Sequence, residues 1–471
     1  MVNSASRLIE KIFFSLLLTI SIFLLVYIFY KSEIVHSGDK RDYYKAYYII
    51  LILLLIFSVY FNFVKDKSII IIILISIFIA IYISELYLTL RPINFDYEKI
   101  NEKSEILKKK TGKIYEKRHL YDYYNDLKTK DKKLAVIIPP TYHLKNIHLN
   151  IYPLSGISNS KTIFCNENGY YSNYYSDRYG FNNPNKVWNS PNTDYLLLGD
   201  SFVHGACVNK PNDIASILRN LSNKKVTNLS YSSNGPLIMY STFREYMPLN
   251  TKKVIWFYYE GNDKSDLNSE LKNQILIKYL ENLNFTQKLS SRQKDIDDLG
   301  REIIHKELAN HREKEAKHHD KYKIKVKKIK FDYIKFIKLN LIRSKLNYYL
   351  PKKYKPKMEI EQLEEFEKKI PKEYAEILSL MKEASLQKNF RFYFVYLPEY
   401  KRYLKKGYMD ESRINMINIV KKLNIDFIDL HEEVFKKEKN PLELFPFKMY
   451  GHYNVKGYQK TTKKIYEMIN Q

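Results

Sequence analysis

The chain is poor in the residues that staple small folds. Cys165 and Cys207 are its only cysteines in 471 residues, so it is no disulfide scaffold, and without a Cys-x-x-Cys pair it offers no zinc finger or ribbon. Glycine is scarce, at 13 residues, and has no period, which excludes collagen; no sustained a/d heptad excludes a long coiled coil. Acidic residues are outnumbered, 52 Asp and Glu against 78 Lys and Arg, for a formal net charge of +26. Such an excess invites a nucleic-acid reading, yet the lysines are spread along the chain and no recognition motif accompanies them. The abundance of Lys, Asn, Ile and Tyr is the usage an AT-rich genome produces, so the charge requires no nucleic-acid partner. At 45% apolar and 28% charged the composition is that of folded protein, with room for about three units.

Apolar residues are concentrated at the start. Uncharged runs cover residues 12–30, 46–64 and 68–84, the last continuing to Leu90 past a single acid, Glu85. About 17 to 25 apolar residues are needed to cross ~30 Å of hydrocarbon as a helix, so three transmembrane helices are expected within 1–90. The first has no small-residue cleavage site and reads as a retained anchor. Flanking cations tie in number on the two faces (Arg7, Lys11, Lys65 and Lys67 against Lys31, Lys40, Arg41 and Lys45), so the positive-inside rule leaves orientation open.

Residues 91–152 are charged and Tyr-rich and read as helix and linker. From about Pro153 to Gln471, short apolar runs alternate with helical stretches: 195–198 (YLLL), 225–229, 254–259 (VIWFYY), 392–397 (FYFVYL) and 425–430. Near-continuous apolar strands alternating with helices imply a parallel sheet covered on both faces, and five β/α units suggest a flavodoxin-like doubly wound α/β domain. A Lys- and Glu-rich helical insertion occupies about 264–388. Within it, 331–350 is basic, aromatic and amphipathic. Its simplest reading is a helix packing its apolar face on the domain, with a membrane-surface helix and an active-site lid as alternatives. His311, Glu315 and His319 share one helix face at i, i+4, i+8, which most often is a solvated stripe; no metal and no cofactor are expected.

In open α/β sheets ligands bind beyond the carboxyl ends of the strands, so the residues after each strand carry the chemistry. Gly199-Asp200-Ser201-Phe202 follows the first run, Asn234-Gly235-Pro236 the second and Gly261-Asn262-Asp263 the third, while Gly451-His452-Tyr453-Asn454 precedes the last helix. One Ser, one His and neutral donors in separate loops suit acyl transfer: a nucleophile, a base and an oxyanion site. His204, three residues after Ser201, is a competing base.

This ordered set, GDSF, Gly235, GND and a late His, resembles the SGNH (GDSL-type) hydrolase superfamily. The stretch from Cys165 to Pro184 is similar to the segment ahead of the nucleophile in its membrane-anchored bacterial members. The resemblance covers about 153–471 and implies Ser201 as nucleophile and oxyanion donor, Gly235 and Asn262 as further donors, and His452 as base. It is departed from in two places. Glu260 stands where Gly is usual, and Met449 and Tyr450 stand where an Asp usually precedes the His. Asp429, Glu443, a backbone carbonyl or no group at all are the candidates for orienting His452. Cys165 and Cys207 are either a disulfide joining the preceding loop to the nucleophile helix or two buried thiols; a bridge would require an oxidising compartment. The expectation is a multi-pass protein of the bacterial inner membrane with an extracytoplasmic domain. It would act as a serine esterase or O-acyltransferase on an acylated envelope glycan or lipid, or bind glycan without catalysis as part of polysaccharide export. The sequence sets no oligomeric state.

Overall fold

The computed structural model describes residues 4–36, 41–63, 68–90, 95–144, 150–324, 333–349, 370–404, 408 and 410–471. The chain forms two compact units, residues 1–95 with 324–367, and residues 96–323 with 368–471.

The first unit holds three helices from the N-terminal region, α1 (Ser4–Phe29), α2 (Arg41–Phe63) and α3 (Ser68–Leu90). Two, not the expected three, are long and apolar enough to cross a membrane among the described residues, over Glu10–Val35 and Ile69–Thr89. The second expected span, 46–64, lies in α2, which opens on Arg41, Asp42 and Lys45 ahead of it. Its apolar stretch is Tyr47–Phe61, about 22 Å of helix against ~30 Å of hydrocarbon. It packs on α1, with the Phe14 and Phe61 rings 5.7 Å apart and Phe14 fully buried.

The second unit begins with α4 (Phe95–Thr111) and α5 (Leu120–Lys128). A small sheet follows, in which β1 (Ala135–Val136) pairs parallel to β2 (Lys161–Ile163) and β2 pairs antiparallel to β3 (Asn173–Tyr175). The main sheet has five parallel strands in the order β5-β4-β6-β7-β8: β4 (Asn192–Leu198), β5 (Val226–Asn228), β6 (Asn250–Tyr259), β7 (Arg391–Leu397) and β8 (Asp426–Asp429). This is the doubly wound 2-1-3-4-5 order, whose direction reverses beside the first strand. Ser201 follows that strand, so it sits at the reversal where a crevice must open.

The strands alternate between two cores. Leu196, Leu198, Val254, Trp256, Tyr258 and Phe394 face one; Tyr195, Leu197, Ile255, Phe257 and Val395 face the other. Both faces are buried, which is why these strands read as unbroken apolar runs. Short polar side chains start the helices that cover the sheet. Asp213 accepts from the Ser216 amide at 2.9 Å ahead of α7 (Ile214–Ser222), and Asn454 accepts from the Gly457 amide at 2.9 Å ahead of the last helix, Val455–Ile469. Before α7 stands α6 (Ser201–His204), and after β5 stands α8 (Pro236–Tyr246).

The insertion after β6 contributes α9 (Asp263–Glu270), α10 (Gln274–Glu281) and α11 (Gln293–Ile324). Of the stretch 331–350, the described part forms α12 (Tyr333–Ile337) and α13 (Asn340–Tyr349), broken at Leu339, whose φ is +50°. Both helices belong to the first unit and pack on α3. The reason is a capping acid on α3: Glu85 accepts the backbone amides of Leu341 and Ile342.

Candidate active site

The turn after β4 is closed by Asp200, whose carboxylate accepts the Phe202 amide at 2.9 Å and caps α6. That fixes Ser201 at the first helical position, at the carboxyl end of the sheet. His452 precedes the last helix, and its Nε2 lies 2.8 Å from Ser201 Oγ. His204 lies elsewhere. It is fully buried among the rings of Tyr231, Phe164 and Tyr174, at 4.4, 4.7 and 5.0 Å, and burial, with Lys210 adding to it, pushes its pKa down to about 3.

No local carboxylate orients His452, but a distant one does. Glu167 Oε1 is 3.0 Å from His452 Nδ1, and Glu167 Oε2 accepts the His452 backbone amide at 2.7 Å, across 285 residues of sequence. The Asp429 carboxylate serves Arg413 and the His431 amide, and Glu443 pairs with Lys448 and Lys456. Neither is committed to His452. Burial opposes charge on both partners of the Glu167–His452 pair, and their mutual attraction outweighs it. Glu167 is held below the usual carboxylate range, with Lys103 helping, and His452 above the usual imidazole value, with Asp200 helping.

Three features place Glu167. The bonded Cys165–Cys207 pair, with Cα atoms 5.0 Å apart, ties its loop to the segment after the nucleophile helix. Asn168 Nδ2 donates to the Cys207 carbonyl at 2.9 Å, and Asn166 Oδ1 accepts the Gly169 amide at 3.0 Å, folding the loop tightly. Gly451 leaves space for the carboxylate, since a Cβ there would stand 2.6 Å from Glu167 Oε2. Sequence reasoning missed Glu167. Its only signal was its place two residues after a cysteine, in the segment that resembled the family.

The expected oxyanion donors fare differently. Gly235 cannot offer a free amide, because its N–H donates to Glu270 Oε1 at 2.7 Å, and Glu270 also accepts the Leu237 amide at 2.9 Å. The first amides of α8 are thus satisfied by an internal carboxylate. Asn262 precedes α9 with its Oδ1 buried and without a hydrogen-bond partner among the described residues. Asn234, fully buried beside Gly235, has neither amide atom paired there. Glu260 forms a buried pair with Arg402 and accepts the Glu399 amide at 3.1 Å, which accounts for an acid where the family resemblance expects Gly.

Behind these loops lies a set of buried acids. Burial first, then neighbouring carboxylates, pushes Asp266 up to about 7 and Glu270 up to about 8, and raises Asp263 well above the usual range. Burial likewise pushes Asp200 up to about 6 against the pull of His452. In the insertion, the fold brings His311 to Asp122 (2.8 Å) and stacks it on His119; the side chains of Glu315 and His319 lie outside the described residues.

No family model matches this chain, and no curated protein does. Among solved structures, it is similar to one described as a protein of the G-D-S-L lipolytic family from Desulfitobacterium hafniense DCB-2. The identity is 16%, the match covers 59% of this chain and 99% of that one, and the TM-score is 0.30.

Proposed function

We propose that the chain is a membrane-anchored serine esterase or O-acyltransferase that works through a Ser201–His452–Glu167 triad on acyl esters of an envelope glycan or lipid. The observation that carries this reading is the pair of contacts made by His452, 2.8 Å to Ser201 Oγ on one nitrogen and 3.0 Å to Glu167 on the other. As neutral base, His452 takes the Ser201 proton on Nε2 while Oγ adds to the ester carbonyl. The Ser201 amide and the Asn262 side chain are the donors offered to the oxyanion. The tetrahedral intermediate then expels the alcohol, which receives the proton from His452, and leaves the acyl group on Ser201. Water or an acceptor hydroxyl, deprotonated by His452, releases the acyl group and restores the serine. Glu167 fixes the tautomer and stabilises the transient imidazolium.

Two features support location at a membrane, with the catalytic unit outside the cytoplasm: the helices long and apolar enough to span, and a disulfide of the kind that persists in oxidising compartments. The reading as a non-catalytic glycan binder was motivated by the lack of an acid beside His452, and Glu167 removes that motive. The test is turnover of short-chain nitrophenyl esters by the detergent-solubilised full chain. Activity abolished in Ser201→Ala is expected; activity unchanged in that variant refutes the reading.

A further inference from the structure

Helix α3 carries one acid, Glu85, in an otherwise apolar sequence, and it is 1% exposed. A carboxylate in such a helix needs a partner. It has two: the amides of Leu341 and Ile342 donate to its two oxygens at 2.8 Å each, making Glu85 the cap of α13. One turn earlier, the Tyr82 hydroxyl donates to the Ile337 carbonyl at 3.0 Å, and its ring lies 5.4 Å from that of Phe336. These contacts fix α12 and α13 alongside the second half of α3.

The two elements leave a groove of about 1110 Å³, just above the ~300–1,000 Å³ typical of small-molecule sites. It exists because α3 presents small residues there, Ala80 and Ser84, at i and i+4. Ser84 Oγ donates back to the Ala80 carbonyl at 2.8 Å, so its hydroxyl is already satisfied within the helix. Ile81 and Ile342 add apolar wall, and two cations, Arg343 and Lys345, complete the lining. An apolar trough bearing two cations, with no acid among the described residues of its lining, is complementary to an amphiphile with a hydrocarbon chain and an anionic head. Since α3 is one of the two helices long and apolar enough to span a bilayer, such amphiphiles are its surroundings.

We propose that this groove holds one anionic phospholipid of the bilayer, an acyl chain lying along Ala80, Ile81 and Ser84 and the phosphate paired with Arg343 and Lys345. The proposal rests on the membrane reading of α3. The experiment titrates the detergent-solubilised full chain with phosphatidylglycerol or phosphatidylcholine and counts bound lipid by native mass spectrometry, with flotation on vesicles of the same two lipids alongside. The expected result is one phosphatidylglycerol retained at least tenfold more tightly than phosphatidylcholine. The preference disappears in Arg343→Ala/Lys345→Ala, which leaves the Glu85 cap intact, and binding of both lipids weakens in Ala80→Trp, which fills the groove. Equal retention of both lipids by the unaltered chain, or wild-type behaviour of the double variant, overturns the proposal while flotation still shows membrane attachment. Failure to float with either vesicle overturns the membrane reading itself, and the proposal with it.

Discussion

Two groups of carboxylates lie at the strand ends, and their surroundings drive them in opposite directions. Glu167 faces an imidazole, a backbone amide and Lys103, and is held below the usual carboxylate range against the cost of its burial. Asp263, Asp266 and Glu270 are raised by burial first and then by neighbouring carboxylates, Asp200 among them. Partner, rather than residue type, decides which acid is ionised near neutral pH. The difference divides the labour: an anion orients the base, and the Glu270 carboxyl holds the backbone amides of Gly235 and Leu237.

Loss of the Glu167 anion is the most severe change. Glu167→Gln keeps the shape but loses the charge, and kcat on a nitrophenyl ester should fall by about 10⁴, the cost seen when a triad acid is neutralised. The acid limb of its pH profile should also move down, since Glu167 is what holds the His452 pKa up. Next comes the tether. Cys165→Ser/Cys207→Ser, or reduction, frees a loop closed across 42 residues, which should cost about 4 kcal/mol on the chain-entropy model; the check is a denaturant titration of the oxidised and reduced chain alongside its activity. Gly451→Ala pushes a methyl into Glu167, and a displacement of about 1 Å should lower kcat by about 10², with the disulfide intact by mass spectrometry.

Acids with raised native pKa values bind more protons folded than unfolded, so their contribution to stability is lost as pH rises from about 4 toward 8. The Glu167–His452 pair behaves differently. The share from Glu167 is lost on acidification through its lowered pKa, and the share from His452 is lost as pH rises through its raised one. Glu270→Gln mimics the protonated carboxyl, so thermal melts between pH 5 and 8 should fall less steeply in that variant than in the unaltered chain.

The main sheet was legible because its inner strands β4, β6 and β7 are buried on both faces along most of their length, so apolar runs such as VIWFYY marked them directly. Ser201 and His452 were legible because each adjoins an element end that sequence can locate. Glu167 was not: it reaches His452 across 285 residues through a disulfide and a glycine, and neither the pairing of two cysteines nor the space beside Gly451 has a local signature. Gly235 misled for a related reason. A glycine ahead of a helix advertises a free amide, and only the fold reveals Glu270 already bound to it. The second expected span, 46–64, misled because the apolar stretch of its helix, Tyr47–Phe61, is too short to cross alone.

The account stands on Ser201 being activated through His452 by Glu167, and labelling of the full chain with a fluorophosphonate probe tests this without knowledge of the substrate. Mass spectrometry should place the label on Ser201, at a rate that rises with pH as His452 deprotonates and drops at least a hundredfold in Glu167→Gln. Labelling of Ser201 at an undiminished rate in that variant, or no labelling of Ser201 in the unaltered chain at any pH, would contradict it.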